Sequence, residues 1–157
     1  MPVVERYSVQ FLNGPLAEVE RWTVPGCPLL MGGSIISQAD AEHLRRNHAV
    51  THVLNLETEH SDAQWGFVLC ENQTPDNGEM KSAEWFRTGI DFVKSATGRV
   101  YLHCQAGGSR TPMMLYALLR AYGNDPGAAL ALIQTVKPSF GSAPYHVNYI
   151  ASAEKAL

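Results

Sequence analysis

The sequence predicts a single α/β domain in which a central mixed sheet is flanked by helices. Three observations support this prediction. The chain has 157 residues, which is the length of one domain with a sizeable core. Strand-like and helix-like stretches alternate early, and helices cluster late. A small-residue loop joins an apolar strand-like run at residues 100–104 to an apolar helix-like run, so a functional loop is expected between a strand and a buried helix.

Residues 1–27 are predicted to form a strand-and-turn extension to a core at residues 28–157. Apolar and polar residues alternate over residues 3–12, which indicates a half-buried strand, and Asn13-Gly14-Pro15 interrupts it. A returning strand over 16–24 and a short apolar strand over 29–31 are expected to follow.

The middle of the chain predicts one helix and two strands. Ser37 and Asp40 have the spacing of a helix-start capping pair, so a helix is expected over residues 38–47. Strands are predicted over 51–56 and 65–70. They are separated by an acidic loop, and a turn-rich loop over residues 71–78 follows the second strand.

The second half is mostly helical by pattern. Residues 79–97 place five apolar side chains on one helical face, and Gly98 is expected to stop that helix; the five are Met80, Ala83, Phe86, Ile90 and Val93. Between residues 112 and 122 the only charge is Arg120, which predicts a buried helix. Asp125-Pro126 predicts the start of a helix over 127–137, and residues 144–157 complete the chain as a final helix.

Composition excludes several classes of function. A net charge of −3 and a pI of about 6.0 argue against a general binder of nucleic acid or anionic membranes. No signal peptide pattern and no apolar run of membrane-spanning length are seen. Three cysteines without paired spacing favour a reducing, cytoplasmic compartment. The histidines at 43, 48 and 52 share no helical face, so no metal or other cofactor is expected.

Residues 103–111 combine a nucleophile with ligands for an oxyanion. Cys104 precedes Arg110 by six positions, and the backbone between them can turn its N–H groups toward a phosphate. The arginine fork binds two phosphate oxygens, and the same donors favour a thiolate at Cys104 that can attack phosphorus. The predicted phosphate-binding residues lie in this one turn, and two glycines there permit positive φ and close backbone approach: Gln105, Ala106, Gly107, Gly108, Ser109 and Arg110.

Two neighbours of these residues have predicted supporting roles. Thr111 is expected to place its hydroxyl near the sulfur and assist its departure. His103 is expected to point away from the ligand, because neighbouring strand residues alternate faces, and to brace the loop by hydrogen bonds.

A general acid must protonate the leaving oxygen. Asp76, in the turn-rich loop, is the first candidate, with Glu79 and Asp62 in reserve; an ordinary turn aspartate is the alternative reading. Cys70 is expected to be a buried strand residue, or else a partner that traps oxidised Cys104 as a disulfide. No role is assigned to Cys27.

The pattern histidine-cysteine, five residues, arginine, then threonine over residues 103–111 resembles the signature of the protein tyrosine phosphatase superfamily. The wider chain, over roughly residues 28–150, resembles the small dual-specificity phosphatases. Residues 30–34, the helix after them and residues 50–56 resemble the opening strand, helix and strand of that family. Residues 75–77 stand where its general-acid loop falls, and residues 128–138 resemble its penultimate helix.

This resemblance implies a two-step phosphocysteine mechanism without a metal. By position it makes Cys104 the nucleophile, Arg110 the phosphate clamp, Thr111 the hydroxyl helper and Asp76 the acid. The loop interior carries no lysine or arginine, which favours a phosphoprotein substrate, with phosphotyrosine first and phosphoserine or phosphothreonine also open. An inositol phosphate or RNA 5′ phosphate substrate, a phospho-binding pseudoenzyme and a rhodanese-type sulfur transferase are the alternatives. A monomer that does not bind nucleic acid or membrane is expected.

Overall fold

A mixed sheet forms the centre of the molecule. The computed structural model describes residues 4–11, 14–19, 29–106, 108–135 and 137–157, with the backbone alone in the first two ranges. Within these residues the sheet has six strands, which are β1 Val4–Phe11, β2 Gly14–Val19, β3 Leu29–Gly32, β4 Val50–Asn55, β5 Val68–Glu71 and β6 Arg99–His103. Their spatial order is β1-β2-β3-β6-β4-β5. The first three pair antiparallel, and β3, β6, β4 and β5 pair parallel, so the predicted mixed sheet is confirmed.

Helices cover both faces of the parallel strands. The described part of the chain has five, which are α1 Gln38–His48, α2 Ala83–Ser95, α3 Arg110–Ala121, α4 Pro126–Gln134 and α5 Pro144–Ala156. Alternate residues of β6 enter different cores: Val100 and Leu102 join the cluster under α2 to α5, and Tyr101 joins the cluster under α1. Burial on both faces explains the continuous apolar runs in the central strands β3 and β6.

Helix α3 lies at the centre of the helical layer. All ten residues from Arg110 to Leu119 are buried, and α3 packs against α2, α4 and α5. The prediction of a buried helix behind the loop is therefore confirmed. This burial matters for function because α3 begins at Arg110, whose backbone is fixed by the core.

The predicted helix caps are present. The Ser37 side chain accepts a hydrogen bond from Asp40 N at 3.1 Å, and the Asp40 carboxylate binds the N–H of Ile36. The Asp125 carboxylate accepts from Ala128 N at 2.8 Å at the start of α4. Local polar chemistry thus set these two boundaries, as the sequence predicted.

Two predicted element starts were wrong. Strand β5 begins at Val68 rather than at residue 65, because Gly66 adopts a φ of +85° and the Phe67 ring lies 4.3 Å from the Arg45 guanidinium carbon. Helix α2 begins after its Ser82 cap, so Met80 lies outside the helix and is 45% exposed rather than facing inward.

Gly98 does not stop α2, which ends at Ser95. A Cβ at Gly98 would lie 2.1 Å from Thr51 Oγ1 at the start of β4. The glycine is therefore required for close approach of two chain segments.

Candidate active site

Backbone hydrogen bonds hold the start of the candidate loop between two parallel strands. Leu56 N, just after β4, donates to His103 O at 2.9 Å, and Ser34 N, just after β3, donates to Gln105 O at 3.1 Å. Cys104 lies between these anchors and is 2% exposed. It therefore stands at the carboxyl ends of the strands, where open α/β sheets form their binding crevices.

Arg110 is held on two edges of its guanidinium. Its Nη1 donates to Glu59 Oε2 at 3.1 Å and to Thr74 O at 3.0 Å, and its Nη2 donates to Glu59 Oε1 at 2.5 Å. Arg110 is 3% exposed, and its buried Nε has no hydrogen-bond partner in the part of the chain described. Buried donors without partners are rare, so this N–H is where an anionic ligand is expected.

The ion pair shifts both titrations. Burial alone would lower the pKa of Arg110, but the Glu59 hydrogen bonds and the nearby Cys104 raise it. Hydrogen bonding to Arg110 is the main cause that lowers the pKa of Glu59. Sequence reasoning missed Glu59, and the only signal for it was the acidic character of residues 57–64.

His103 points into a buried acidic cluster. Its Nε2 is hydrogen-bonded to Asp62 Oδ2, and its Nδ1 lies 3.2 Å from Cys104 O and 3.5 Å from Glu57 Oε1. Glu57 also accepts from Ser34 Oγ at 2.6 Å. These contacts join the end of β6 to residues that follow β3 and β4, and the bracing role of His103 stays a prediction.

Asp62 is 1% exposed and is engaged by His103. It does not reach a pocket mouth, so its reserve assignment as general acid was wrong. Asp62 Oδ1 has no hydrogen-bond partner among the described residues, so within them the Asp62 carboxylate is hydrogen-bonded to His103 alone.

The far end of the loop rests on α5. Ser109 Oγ lies 3.5 Å from His146 Nε2, and His146 Nδ1 accepts from Gly141 N at 3.0 Å. His146 is 4% exposed, and burial lowers its pKa against the opposing effect of Asp76. The Nδ1 acceptor role leaves the proton on Nε2, so His146 donates to Ser109. Sequence reasoning did not identify His146.

The remaining loop members present no charge. Gln105 is half-buried, Ala106 and Gly108 are exposed, and Gly107 lies outside the described residues. Gly108 has no positive φ, and a Cβ there would meet open space, so the expected need for conformational freedom does not hold at Gly108. Thr111 Oγ1 is fully buried and has no hydrogen-bond partner among the described residues. The predicted contact with the Cys104 sulfur is therefore not formed in this structure.

Asp76 lies in the loop that contacts Arg110. It is two residues from Thr74, whose carbonyl binds Arg110, and two residues span at most about 7 Å. It lines a cavity of about 340 Å³ together with Asn77, Gly78 and Tyr145. Glu79, the other reserve acid, is exposed in the same loop, and its N–H binds Asn77 Oδ1 at 3.1 Å.

Cys70 does not lie where it could trap Cys104. Leu54 of β4 is paired with Cys70 on one side and with Leu102 on the other, so Cys70 and Leu102 are two strands apart. The Cα atoms of Cys70 and Leu102 are therefore about 9.5 Å apart, and Cys104 lies two residues beyond Leu102. A disulfide needs Cα atoms within about 7 Å. The trapping alternative was therefore wrong for this arrangement. Burial raises the pKa of the Cys70 thiol. Cys27 lies outside the described residues.

Among the described residues no group of three or more His, Cys, Asp or Glu side chains is arranged to hold a metal ion. No helix in those ranges is long and apolar enough to cross a membrane.

Comparison by sequence finds short matches to curated phosphatases. No family model matches the chain. Dual specificity protein phosphatase 1 of Homo sapiens is 45% identical over 47 residues, which cover 28% of this chain and 13% of that protein. Human dual specificity protein phosphatase 2 is 32% identical over 96 residues, which cover 59% of this chain and 30% of that protein. The chain therefore spans less than a third of the length of these relatives.

Comparison by structure covers most of the chain. Tk-PTP in the active form matches with a TM-score of 0.68 and 16% identity, covering 82% of this chain and 92% of that one. PTPMT1 matches with a TM-score of 0.66 and 19% identity over 82% and 90% of the two chains. DUSP15 matches with a TM-score of 0.63 and 21% identity over 82% and 86%. The chain thus has the cysteine-based phosphatase fold of the protein tyrosine and dual-specificity phosphatases, and the predicted resemblance is confirmed.

Proposed function

We propose that this chain is a cysteine-dependent phosphatase that hydrolyses phosphate monoesters through a phosphocysteine intermediate. The arrangement of Arg110 carries the proposal. Its buried guanidinium is fixed by Glu59 and Thr74, and its Nε has no partner among the described residues. Arg110 stands six positions beyond the buried Cys104, at the end of a loop between strand and helix. A cationic donor held this way is suited to an anion that is bound only transiently.

The reaction follows in two steps. In the first, the Cys104 sulfur forms a bond to phosphorus while the ester P–O bond breaks, and Asp76 gives its proton to the leaving oxygen. In the second, the Asp76 carboxylate takes a proton from water as the water oxygen bonds to phosphorus and the S–P bond breaks. Arg110 binds the equatorial oxygens throughout, and His103 braces the loop. Thr111 Oγ1, which makes no hydrogen bond among the described residues, donates to the sulfur only as the sulfur departs.

The substrate we propose is a phosphoprotein, with phosphotyrosine first and phosphoserine or phosphothreonine also accepted. No charged side chain faces outward among the described loop residues before Arg110. The nearest lysine in the acid loop, Lys81, has its Nζ bound to Pro75 O at 2.7 Å and Asn77 Oδ1 at 2.9 Å. Tyr145, 43% exposed, offers an aromatic wall to the cavity beside Asp76. Apart from Arg110 and this tethered lysine, the described residues of the two loops offer a polyanionic headgroup no further cation.

Hydrolysis of p-nitrophenyl phosphate tests the activity. We expect near-complete loss of turnover in Cys104→Ser and Arg110→Ala, and we expect Cys70→Ser, the matched cysteine control, to retain wild-type turnover. Asp76→Ala should lose on the order of 100-fold with a poor leaving group and less with p-nitrophenol, because a good leaving group needs less protonation. A wild-type protein that binds phosphopeptide but releases no phosphate would show that the chain is a binding module instead.

A non-protein phosphate is the second candidate, and one neighbouring structure favours testing it: PTPMT1 has been solved in complex with PI(5)P. The comparison is kcat/KM for a phosphotyrosine peptide, a phosphothreonine peptide and PI(5)P presented at equal concentrations. We expect the phosphotyrosine peptide to be preferred. Preference for PI(5)P would overturn the protein-substrate proposal while leaving the phosphatase proposal intact.

A further inference from the structure

Helix α5 binds the loop that carries Asp76. Tyr149 Oη lies 2.7 Å from Asp76 Oδ1 and accepts a hydrogen bond from Gly78 N at 3.0 Å. Asn148 Nδ2 donates to Gly78 O at 3.0 Å, and Lys81 N donates to Ser152 Oγ at 2.9 Å. Side chains from two consecutive turns of one helix therefore hold the acid loop.

The Tyr149 hydroxyl has a defined direction in this network. It carries one proton, and the Gly78 N–H already points at its oxygen, so its own proton is directed to Asp76 Oδ1. Tyr149 is fully buried, and burial together with the Asp76 hydrogen bond raises its pKa to about 12. The hydroxyl therefore stays protonated under ordinary conditions and remains a donor.

This direction has a consequence for the carboxyl group. Because Oδ1 accepts from Tyr149, the transferable proton of Asp76 belongs on Oδ2. The Asp76 side chain is exposed and lines the cavity, and the bond to a buried hydroxyl restricts rotation about its χ angles. Oδ2 is the carboxyl oxygen that Tyr149 does not engage.

We propose that Tyr149 is a positioning residue for the general acid: it fixes Asp76 so that Oδ2 faces the leaving oxygen. The inference rests on the proposed phosphatase function, and it adds a residue outside the Cys104 loop to the machinery. Tyr149 does not touch the reacting atoms in this reading, so its removal should affect only the protonation of the leaving group.

The experiment measures kcat/KM of Tyr149→Phe for a series of aryl phosphates. Phenyl phosphate needs a proton on its leaving oxygen, and 2,4-dinitrophenyl phosphate does not. We expect a loss of roughly 10-fold for phenyl phosphate and less than about 2-fold for 2,4-dinitrophenyl phosphate. In an Asp76→Asn background, Tyr149→Phe should have no further effect on either substrate, because the acid it positions is already absent.

Tyr116→Phe is the matched control. Tyr116 is also buried, and its hydroxyl donates at 2.5 Å to a carboxylate, that of Glu154, away from the acid loop. Tyr116→Phe should lose a tyrosine–carboxylate hydrogen bond of the same kind without changing how kcat/KM depends on the leaving group. Asn148→Ala is a second variant, at an exposed position, that keeps the core intact. It should also lower kcat/KM for phenyl phosphate more than for 2,4-dinitrophenyl phosphate, but by a smaller factor than Tyr149→Phe.

Three outcomes would overturn the inference. One is an equal loss for both leaving groups, which would indicate a general structural role for Tyr149. Another is a loss in Tyr149→Phe that adds fully to the loss in Asp76→Asn. The third is unchanged leaving-group dependence in both Tyr149→Phe and Asn148→Ala. Absence of any Cys104-dependent turnover in the wild type is a different result, since it would refute the proposed function itself.

Discussion

Replacing Glu59 by glutamine removes one charge from the Arg110 clamp while preserving side-chain size. In the wild type, Glu59 accepts two hydrogen bonds from Arg110, at 3.1 and 2.5 Å, on a guanidinium that is 3% exposed. A glutamine offers one oxygen and one NH₂ group to this fork. One bond therefore survives with a neutral acceptor, and the other becomes an unfavourable contact between two donors.

The expected loss of stability follows from these contacts. A hydrogen bond to a charged group contributes about 1.5–3 kcal/mol. Glu59 keeps 28% of its side chain exposed, so water screens the pair and the loss should fall at the lower end of that range. Turnover should fall further, because a guanidinium that is free to turn no longer presents Nε to the phosphate. We expect kcat/KM to drop by about 10- to 100-fold, equivalent to about 1.4–2.7 kcal/mol of transition-state stabilisation.

The assay pairs urea unfolding with p-nitrophenyl phosphate kinetics between pH 3.5 and 7. Arg110 lowers the pKa of Glu59 from its ordinary value of 4.5. The pairing therefore stabilises the fold above pH 4.5 and is lost as the pH falls through the lowered value. The stability gap between wild type and Glu59→Gln should be constant down to about pH 4.5 and then close.

Glu42→Gln is the control, because Glu42 pairs with Arg46 at 3.0 Å on an exposed helix surface and should change stability by under about 0.5 kcal/mol. The reasoning is refuted if Glu59→Gln retains wild-type kcat/KM, or if its stability gap is independent of pH throughout the range.

Gly98→Ala places a Cβ 2.1 Å from Thr51 Oγ1, so we expect about 1–3 kcal/mol of destabilisation by urea unfolding. Thr51→Ala in the same chain should restore part of that loss, and identical losses in the single and double variants would contradict the steric explanation. Asp62→Asn keeps the buried shape but weakens the bond to His103, with an expected cost of about 1.5–3 kcal/mol and reduced turnover. Unchanged stability and kinetics in Asp62→Asn would show that the cluster does not brace the loop.

Features that depend on local chemistry were predictable from the sequence. The N-caps at Ser37 and Asp125, the buried α3 and the strand–loop–helix setting of Cys104 follow from spacing and periodicity over short stretches. The position of Asp76 near Arg110 was also expected, because the loops that follow parallel strands lie at the same edge of the sheet.

Features that depend on distant residues were not predictable. Glu59 and Arg110 are 51 positions apart, and only the folded chain shows which of several acids in residues 57–64 meets the arginine. The same loop sends Asp62 inward to His103. The helical start expected near Met80 fails for a similar reason, since the preceding segment is bonded to α5.

The burial of α3 separates two kinds of change that the molecule can accept. Arg110 is the first residue of α3, whose first ten residues are all buried. Substitutions elsewhere in those ten residues therefore disturb the core. The acid loop instead rests on one side of α5, through a few polar side chains such as Asn148 at its exposed margin. Under the proposed function, substitutions at this exposed margin of α5 would change how leaving groups are handled, while the buried side of α5, where His146 meets Ser109, stays constant with the loop that binds phosphate.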